Sequence, residues 1–366
     1  MIAVDARFYA RGHGIGRYTR RLVDGLAEAL NGDLVCLSPA STGLRWPART
    51  LTFGLSHRIL WANVAVPILL RRTGADVYHA LDNLALPLAA PKGQMKFVLT
   101  VHDLIPLYFP RGVGLGHRWY FRLAIPRVLR RADAVVVSSA ATASKIISRF
   151  PGAKGKIRAV PLGVDTQLFR SIKSPQVRTL LRASHGIRGE YILFVGTLQA
   201  NKDVAKLIRA FRTVVQEQTE LLLVIAGRGR DHERLVLEVA RCGLQANVIF
   251  TGYVPDADLP ALYSGARAFV FPSLEEGFGL PPLEAMACGA PVVASDIPVF
   301  REVLGPAAVL VEPASEASLA AGILAVLRKP AFASDLAQLG QERVRAFPWE
   351  RTIRAVLQVY KNVREG

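Results

Sequence analysis

The stretch between Glu275 and Gly289 holds the residues of this chain whose types and spacing are best suited to chemistry. It reads EEGFGLPPLEAMACG and follows the apolar run AFVFP, which predicts a buried strand. We expect a helix to begin near Leu280 or Pro281, since a proline in the first turn loses no helical hydrogen bond, and to end at a left-handed Gly289. The unpaired backbone N–H groups from Gly277 to Leu280 would then favour an anion such as phosphate.

Two carboxylates flank this predicted anion site. Glu276 lies in the loop, and Glu284 lies about one helical turn beyond the helix start at roughly 1.5 Å rise per residue. Phosphate would repel both, whereas ionised carboxylates accept hydrogen bonds from neighbouring sugar hydroxyls. A ligand with a sugar on one side of a diphosphate and a ribose on the other would meet both side chains. The alternative is that Glu284 is an ordinary solvated helix residue and that the glycines only form a tight turn.

The two glutamates have the E-x7-E spacing, and the whole stretch resembles the retaining nucleotide-sugar glycosyltransferases called glycosyl transferases group 1. The resemblance implies that Glu276 contacts the transferred sugar and that Glu284 contacts the ribose. It also assigns the sugar and the diphosphate of the donor to the backbone of Gly277, Phe278, Gly279 and Leu280.

A lysine follows the predicted strand Tyr191–Val195, after a turn that begins at Gly196. A cation at the carboxyl edge of a parallel strand is well placed to meet a ligand. We expect Lys202 to neutralise charge on the leaving nucleotide and the Gly196 turn to adjoin the donor. The family usually has Arg-Lys here, so Asn201 leaves a second cation unaccounted for, and Arg228 is a candidate substitute. The alternative for Lys202 is a surface helix lysine.

The segment after the predicted strand near residue 250 contains candidate residues for contact with the nucleotide base and for metal binding. By resemblance, backbone atoms of Tyr253 and Val254 would contact the base, which the sequence does not identify. Asp256 and Asp258 match the D-x-D metal signature of a different glycosyltransferase fold, but they precede a predicted helix from Leu259 to Ser264, where an N-cap aspartate is common. We therefore expect no metal and no other cofactor, the nucleotide-sugar being a co-substrate.

A glycine-rich segment, GHGIGRY at residues 12–18, follows the predicted strand Ile2–Asp5. Its spacing is not the G-x-G-x-x-G of dinucleotide-binding folds, and the next strand ends without the acid that holds a ribose, so hydride transfer is not expected. It is similar to a segment of many group 1 glycosyltransferases, including mannosyltransferases of bacterial surface polysaccharides. There it lies across the cleft from the donor, so we expect Gly14 and Gly16 to adjoin the donor and Tyr18 the acceptor side.

A histidine and an aspartate end the predicted strand Phe97–Val101, where ligand contact is favoured. The family carries the same pair, which implies that His102 lies near the reactive end of the sugar and Asp103 toward the acceptor. The alternative is a structural hydrogen bond between side chains at a strand end. His79 is a second, weaker candidate for the acceptor side.

The formal net charge of +17 is spread unevenly over the 366 residues. Residues 1–170 hold 24 Lys and Arg against 9 Asp and Glu, whereas residues 171–366 hold 22 against 20. Such a basic half suits nucleic acid or an anionic membrane surface. Its segment 117–131 mixes aromatic residues with arginines, as a membrane-lying helix would. A core helix with a solvated basic face is the alternative, because Pro126 interrupts the pattern.

The sequence predicts no signal peptide, no membrane-spanning segment and no paired cysteines. Met1–Ala6 reads as a strand rather than a signal peptide, and the apolar run Ile59–Leu70 is too short to span a bilayer. Three widely separated cysteines indicate a reducing compartment and no zinc site. We expect a cytoplasmic protein that lies on the cytosolic membrane face if its basic segment binds lipid.

Apolar segments alternate with helical patterns throughout, which predicts two doubly wound α/β domains, as in the GT-B fold, where two Rossmann-like domains face a central cleft. We place the acceptor domain at residues 1–170, the nucleotide-sugar domain at 171–345, and a helix returning to the first domain at 346–366, mainly 349–361. A polar segment, 165–189, is the predicted linker. The predicted strands are 2–5, 34–37, 77–79, 97–101, 134–137, 157–160, 191–195, 221–226, 248–250, 268–271, 291–294 and 308–311.

The expected reaction is transfer of a hexose from a nucleotide diphosphate donor to a hydroxyl with retention of configuration. Lys202, Arg228 and the amides of Gly277–Leu280 would stabilise the leaving group without a divalent metal. The family implies same-face attack, although Glu276 as a covalent nucleophile stays open. Similarity to mannosyltransferases favours GDP-mannose and a glycan or lipid-linked acceptor.

Three alternatives remain: a UDP-sugar donor, a nucleotide-sugar epimerase of the same fold, and a basic nucleic-acid-binding protein. The last is suggested by charge alone, without a recognition motif, so we expect no nucleic-acid partner.

Overall fold

The computed structural model describes residues 1–10, 14–39, 46–55, 57–88, 93–109 and 115–366. They form two compact units, one made of Met1–Gly163 with Trp349–Gly366 and one made of Val164–Pro348. The first unit is therefore discontinuous in sequence. The chain leaves it before the predicted division at residues 170 and 171, and returns after the predicted division at residues 345 and 346.

A parallel sheet lies in the first unit, with seven strands among the described residues in the order β3-β2-β1-β4-β5-β6-β7. Most of these strands are buried along their length, as expected for a parallel sheet covered by helices. The strands are β1 Ile2–Asp5, β2 Leu34–Ser38, β3 Arg49–Thr52, β4 Val77–Ala80, β5 Lys96–Val101, β6 Ala134–Val137 and β7 Ile157–Ala159.

The helices of the first unit include one from the returning segment. They are α1 Ile15–Leu30, α2 Arg58–Leu60, α3 Val66–Leu70, α4 Ile105–Tyr108, α5 Leu115–Arg131, α6 Ala140–Arg149 and α15 Trp349–Glu365. A π-helical turn, Trp61–Ala65, joins α2 to α3. Helix α15 packs so closely on α1 that a Cβ at Gly25 would lie 2.0 Å from Cδ1 of Ile353.

The second unit has a parallel sheet of six strands in the order β10-β9-β8-β11-β12-β13. The reversal of order between β8 and β11 is the topological switch point where ligands of doubly wound folds bind. Its strands are β8 Tyr191–Val195, β9 Leu222–Ala226, β10 Val248–Gly252, β11 Ala268–Phe271, β12 Val292–Ser295 and β13 Ala308–Val311. Its helices are α7 Pro175–Ser184, α8 Val204–Glu217, α9 His232–Cys242, α10 Leu259–Gly265, α11 Leu280–Ala287, α12 Pro298–Val303, α13 Glu316–Arg328 and α14 Pro330–Val344.

The structure confirms the doubly wound fold and corrects several local predictions. Strand β3 was not predicted because RTLT is polar and only half-buried at the sheet edge. The predicted linker at residues 165–189 is wrong, since that segment belongs to the second unit and contains α7, capped by the side chain of Ser174. Helix α5 continues through Pro126, which therefore does not end it.

Length and apolar character decide whether any of the described helices could span a membrane. No single one of them has the length and composition to cross a bilayer. One bent pair, Glu316–Arg328 followed by Pro330–Glu365, meets the criteria on length and composition alone.

Candidate functional site

The loop after β11 forms the predicted helix start. Gly279 adopts a left-handed conformation with φ 96° as the N-cap of α11, and Gly289 has φ 81° just beyond its end, which confirms both predicted boundaries. Gly277, Phe278 and Gly279 are buried, with the Phe278 ring packed edge-on against Phe347. The first-turn amides of α11 therefore emerge from a rigid, packed loop, where the positive end of the helix favours an anion.

Lys202 and Glu276 form an ion pair at this helix start. Both side chains are largely buried, and the Nζ of Lys202 also lies 4.9 Å from the centre of the Phe271 ring, at the end of β11. Lys202 is therefore not a surface helix lysine. A buried ion pair gives little net stability because desolvation offsets the attraction, so this pair is better suited to exchanging partners with a charged ligand.

Asn201 has a structural role that explains the missing arginine. Its side chain is buried, its Nδ2 donates to the backbone oxygen of Glu275 at 3.2 Å, and its backbone oxygen accepts from the N–H of Leu274 at 2.8 Å. These bonds tie the Lys202 turn to the Glu276 loop. The amide therefore fixes the position of the ion pair without supplying a second cation.

Glu284 is buried in α11, which excludes the solvated-residue alternative. The hydroxyl of Tyr263 donates to Oε2 of Glu284 at 3.2 Å. Tyr263 lies on α10 and was not predicted, because nothing local in the sequence indicates which helix packs beside α11. The tyrosine orients the carboxylate that was expected to bind a ribose.

The loops after β8, β9 and β10 converge through their glycines. The N–H of Gly196 donates to Ala226 at 3.0 Å, and that of Gly227 donates to Gly252 at 2.8 Å. A Cβ at Gly227 would lie 1.8 Å from the backbone oxygen of Gly196, so this close approach requires glycine. Gly196 thus has a packing role beside the predicted donor site.

Arg228 and Tyr253 extend from these converging loops into solvent. Arg228 is exposed, and no hydrogen bond or ion pair holds its guanidinium within the part of the chain that the structure describes. Tyr253 is 44% exposed, whereas Val254 is buried. Arg228 and the Tyr253 ring are therefore accessible to a ligand, and the side chain of Val254 is not.

His102 and Asp103 follow β5 in the first unit, and both are half-buried. The Nε2 of His102 lies 3.0 Å from the backbone oxygen of Leu81, so that nitrogen carries the proton and donates it. Burial lowers the pKa of His102 below its ordinary value, although the bond to Leu81 and the charge of Asp82 oppose the shift. One oxygen of Asp103 accepts from the N–H of Ile105 at 2.9 Å.

His79 and Tyr18, which were predicted on the acceptor side, are buried and make structural contacts within the first unit. His79 is fully buried, with Nδ1 2.7 Å from the hydroxyl of Tyr360 and Nε2 2.8 Å from Oγ1 of Thr100. Burial lowers its pKa to about 3. The buried hydroxyl of Tyr18 lies 3.1 Å from Thr100, and its ring packs edge-on against His102. His79 and Tyr18 therefore pack against the end of β5, next to His102.

The glycine-rich segment is described only from Gly14 onward, and Gly12 and His13 lie outside the described residues. Gly14 is exposed with φ 56° at the N-cap of α1, and a Cβ there would meet no atom within 4 Å. Gly16 is buried in the first turn of α1, which begins at Ile15. Gly14 is therefore the accessible member of the pair.

The described ranges hold no candidate metal centre. They contain no group of three His, Cys, Asp or Glu side chains placed to hold a metal ion. Asp258 occupies the predicted N-cap of α10, but its side chain makes no capping bond and instead lies 3.5 Å from Nε2 of His185.

Two family models match the chain. Residues 177–343 match "Glycosyl transferases group 1", and residues 12–168 match "Glycosyltransferase Family 4". O-antigen chain mannosyltransferase B of Escherichia coli is 30% identical over 287 residues, which are 78% of this chain and 74% of that protein. Serotype-specific mannosyltransferase WbdA of Escherichia coli is 28% identical over 290 residues, but the chain spans only 36% of its length.

Solved structures share the fold over the whole chain. Sucrose-phosphate synthase from Thermosynechococcus elongatus has a TM-score of 0.81 at 22% identity, covering 100% of this chain and 99% of that one. Anabaena Alr3699/HepE in complex with UDP-glucose has a TM-score of 0.78 at 20% identity, covering 100% and 99%.

Proposed function

This chain belongs to the glycosyl transferases group 1 family, and from that premise we propose that it transfers mannose from GDP-mannose to a glycan or lipid-linked acceptor in bacterial surface polysaccharide synthesis. The family makes the chain a glycosyltransferase. The donor sugar is inferred from relatives that are O-antigen mannosyltransferases. The observation that carries the proposal is the Lys202–Glu276 ion pair at the start of α11.

We expect each group of the donor to find a partner in the second unit. The diphosphate would lie at the first-turn amides of α11, where its charge draws Lys202 away from Glu276. Glu276 is then released to accept hydrogen bonds from sugar hydroxyls, while Glu284, oriented by Tyr263, accepts from the ribose. Lys202, exposed Arg228 and the amides would stabilise the leaving nucleotide as its charge develops.

We propose that the sugar keeps its anomeric configuration and that this positive charge serves in place of a divalent metal. In same-face attack the departing phosphate takes the proton of the acceptor hydroxyl, so no enzymic nucleophile is needed. His102 would contact the transferred sugar and Asp103 would face the acceptor, as the family resemblance implies. The anomeric configuration of the first product, read by proton NMR, tests retention directly.

A UDP-sugar is the second candidate donor. HepE, which shares the fold, is described in complex with UDP-glucose. The exposed ring of Tyr253 could stack on either base, since every base has an aromatic face.

The decisive assay is nucleotide release from a panel of GDP- and UDP-sugars in the presence of a bacterial membrane lipid extract. We expect lipid-dependent GDP release from GDP-mannose, reduced about 100-fold or more in Glu276→Gln. Glu217→Gln is the matched control, because it makes the same chemical change in an exposed ion pair with Arg328. Activity with another donor alone would correct the sugar. Absence of both release and donor binding would reject the proposal.

We further propose that α5 holds the first unit on an anionic membrane face. Its outward stripe combines two apolar residues, Trp119 and Leu123, which are 59% and 55% exposed, with cations at Arg122, Arg127 and Arg130. The helix contains no acidic residue. Aromatic and basic residues on one helix face are suited to the headgroup region of a bilayer.

Vesicle co-sedimentation tests this surface. Vesicles containing phosphatidylglycerol should bind the protein and phosphatidylcholine vesicles should not, with Arg122→Gln/Arg127→Gln weakening binding roughly 30-fold, from about 1 kcal/mol per cation. Leu123→Ala should also weaken binding, while Leu237→Ala should not, because that equally exposed leucine lies on α9 of the second unit. Equal binding to both vesicle types would contradict the proposal.

A further inference from the structure

A buried charge network lies beside His102 in the first unit. Arg58 and Asp82 form a two-pronged pair, with Nε to Oδ2 at 2.9 Å and Nη2 to Oδ1 at 2.6 Å. Arg7 donates to the same Oδ2 at 3.1 Å and pairs with Asp5 at 3.0 Å. Only Arg58 is substantially exposed, at 33% of its side chain. Although burial opposes it, the two arginines hold the pKa of Asp82 below its ordinary value.

A contribution to folding stability does not by itself explain why these charges are buried together. The Nε1 of Trp61 adds a bond to Asp5 at 3.2 Å, so the network connects the end of β1, the loop after β4 and the helical run that begins with α2. Buried ion pairs are often no more stabilising than apolar residues of similar volume, because removing the charges from water offsets their attraction. We therefore expect this network of four buried or half-buried charges to hold neighbouring residues in position.

Three hydrogen bonds join the loop that contains Asp82 to His102 and Asp103, which follow β5. The backbone oxygen of Leu81 accepts from Nε2 of His102 at 3.0 Å, and Oδ1 of Asn83 accepts from the His102 N–H at 2.9 Å. The side chain of Asn83 also donates to the backbone oxygen of Asp103 at 3.0 Å. Residues 81–83 therefore set where His102 and Asp103 lie, and the charge network sets where residues 81–83 lie.

The bond to Leu81 also decides which nitrogen of His102 can meet a substrate. A carbonyl only accepts, so Nε2 must carry the proton and Nδ1 is left with its lone pair. Within the described ranges, Nδ1 has no hydrogen-bond partner. The edge-on contact with Tyr18, at 4.8 Å between ring centres, restrains the imidazole from turning over.

We propose that Asp82, Arg58 and Arg7 are positioning residues for the transfer reaction. They hold the Leu81 oxygen where it fixes the Nε2–H tautomer of His102, so that Nδ1 accepts a hydrogen bond from a hydroxyl of the transferred sugar. This inference rests on the proposed function, because it needs His102 to contact that sugar.

The tautomer can be read without any activity measurement. In protein labelled with 15N-histidine, long-range proton–nitrogen NMR spectra show which ring nitrogen carries the proton, and a His102→Gln variant identifies the signal. We expect one Nε2–H tautomer in the wild-type chain and a mixture in Asp82→Asn. Asp76→Asn is the matched control, because Asp76 has the same two-pronged pairing with Arg364 in this unit but is half exposed. It should leave the His102 signal unchanged.

Kinetics then test whether the network acts through the histidine. We expect Asp82→Asn to lower kcat for sugar transfer about tenfold in the wild-type background, and by less than about twofold in a His102→Gln background, as residues of one network are coupled. Donor KM should change little. Arg58→Lys keeps the charge but loses the planar fork, so it should give a smaller loss and serves if Asp82→Asn fails to fold.

The outcomes separate the inference from the proposed function. A wild-type enzyme that transfers sugar, with an unchanged tautomer in Asp82→Asn and losses that add in the double variant, would overturn the positioning role alone. A wild-type chain that transfers no sugar would remove the proposed function. The tautomer experiment would in that case still show whether the network controls His102.

Discussion

Replacing Gly279 with alanine should damage the second unit through both its backbone and its packing. Gly279 has φ 96°, in the left-handed region that costs an L-residue about 1–2 kcal/mol. The added Cβ would lie 2.6 Å from Cε1 of the buried Phe300 ring, and overpacking a core costs about 1–3 kcal/mol. The free energy of unfolding should therefore fall by about 2–5 kcal/mol.

Gly243→Ala isolates the backbone contribution. Gly243 ends α9 with φ 70°, and a Cβ there would meet no atom within 4 Å. In a unit of this size, about 1 kcal/mol lowers Tm by about 2–4 °C, so Gly279→Ala should melt roughly 2–12 °C below Gly243→Ala. Adding Phe300→Leu to Gly279→Ala should recover part of that difference by making room for the methyl group.

Nucleotide binding provides the second half of the assay. Calorimetric titration with GDP and UDP, at a temperature where both variants are folded, should show weaker binding to Gly279→Ala and wild-type affinity in Gly243→Ala. The reason is that only Gly279 sets the direction of the first-turn amides of α11. Equal melting temperatures would refute the packing argument. Unchanged affinity would refute the placement of the diphosphate at this helix start.

Three further predictions concern single side chains. Tyr263→Phe removes the hydroxyl bonded to Glu284, so it should lower unfolding stability by about 1.5–3 kcal/mol and weaken nucleotide binding in the same titration. Asn201→Ala removes the bond to Glu275, so chemical denaturation should show a loss of about 0.5–1.5 kcal/mol, and kcat should fall. His79 has its pKa lowered from 6.5 to about 3, so the unfolded chain binds a proton that the folded chain does not, and stability should fall as pH drops below about 6.5. His79→Gln should make the decline of Tm between about pH 6.5 and 4.5 shallower.

The predictions that held depend on residues close together in the sequence. The run from Glu275 to Gly289 specifies its own strand end, glycine turn and proline-started helix, so its local structure could be predicted directly. Alternation of apolar strands with helices likewise fixed the doubly wound fold. Strand β3 was not predicted, because this edge strand contains polar residues and lacks the apolar run that marks a buried strand.

The features that could not be predicted depend on partners far apart in the sequence. Nothing near Glu284 indicates Tyr263, and nothing near Asp82 indicates Arg58, because each pair is brought together by packing of separate elements. His79 was predicted to lie on the acceptor side. Its ring is instead enclosed by a tyrosine of the final helix.

That final helix also imposes an order on biosynthesis. A ribosome releases the whole continuous second unit, residues 164–348, before it releases α15. Until then Gly25 lacks the Ile353 side chain that covers it, and His79 lacks the hydroxyl of Tyr360. Until then, the nascent first unit lacks part of its final surface, and one ring nitrogen of His79 lacks its hydrogen-bond partner. All residues of the second unit have been synthesised by that point. Synthesis thus favours completing the second unit first.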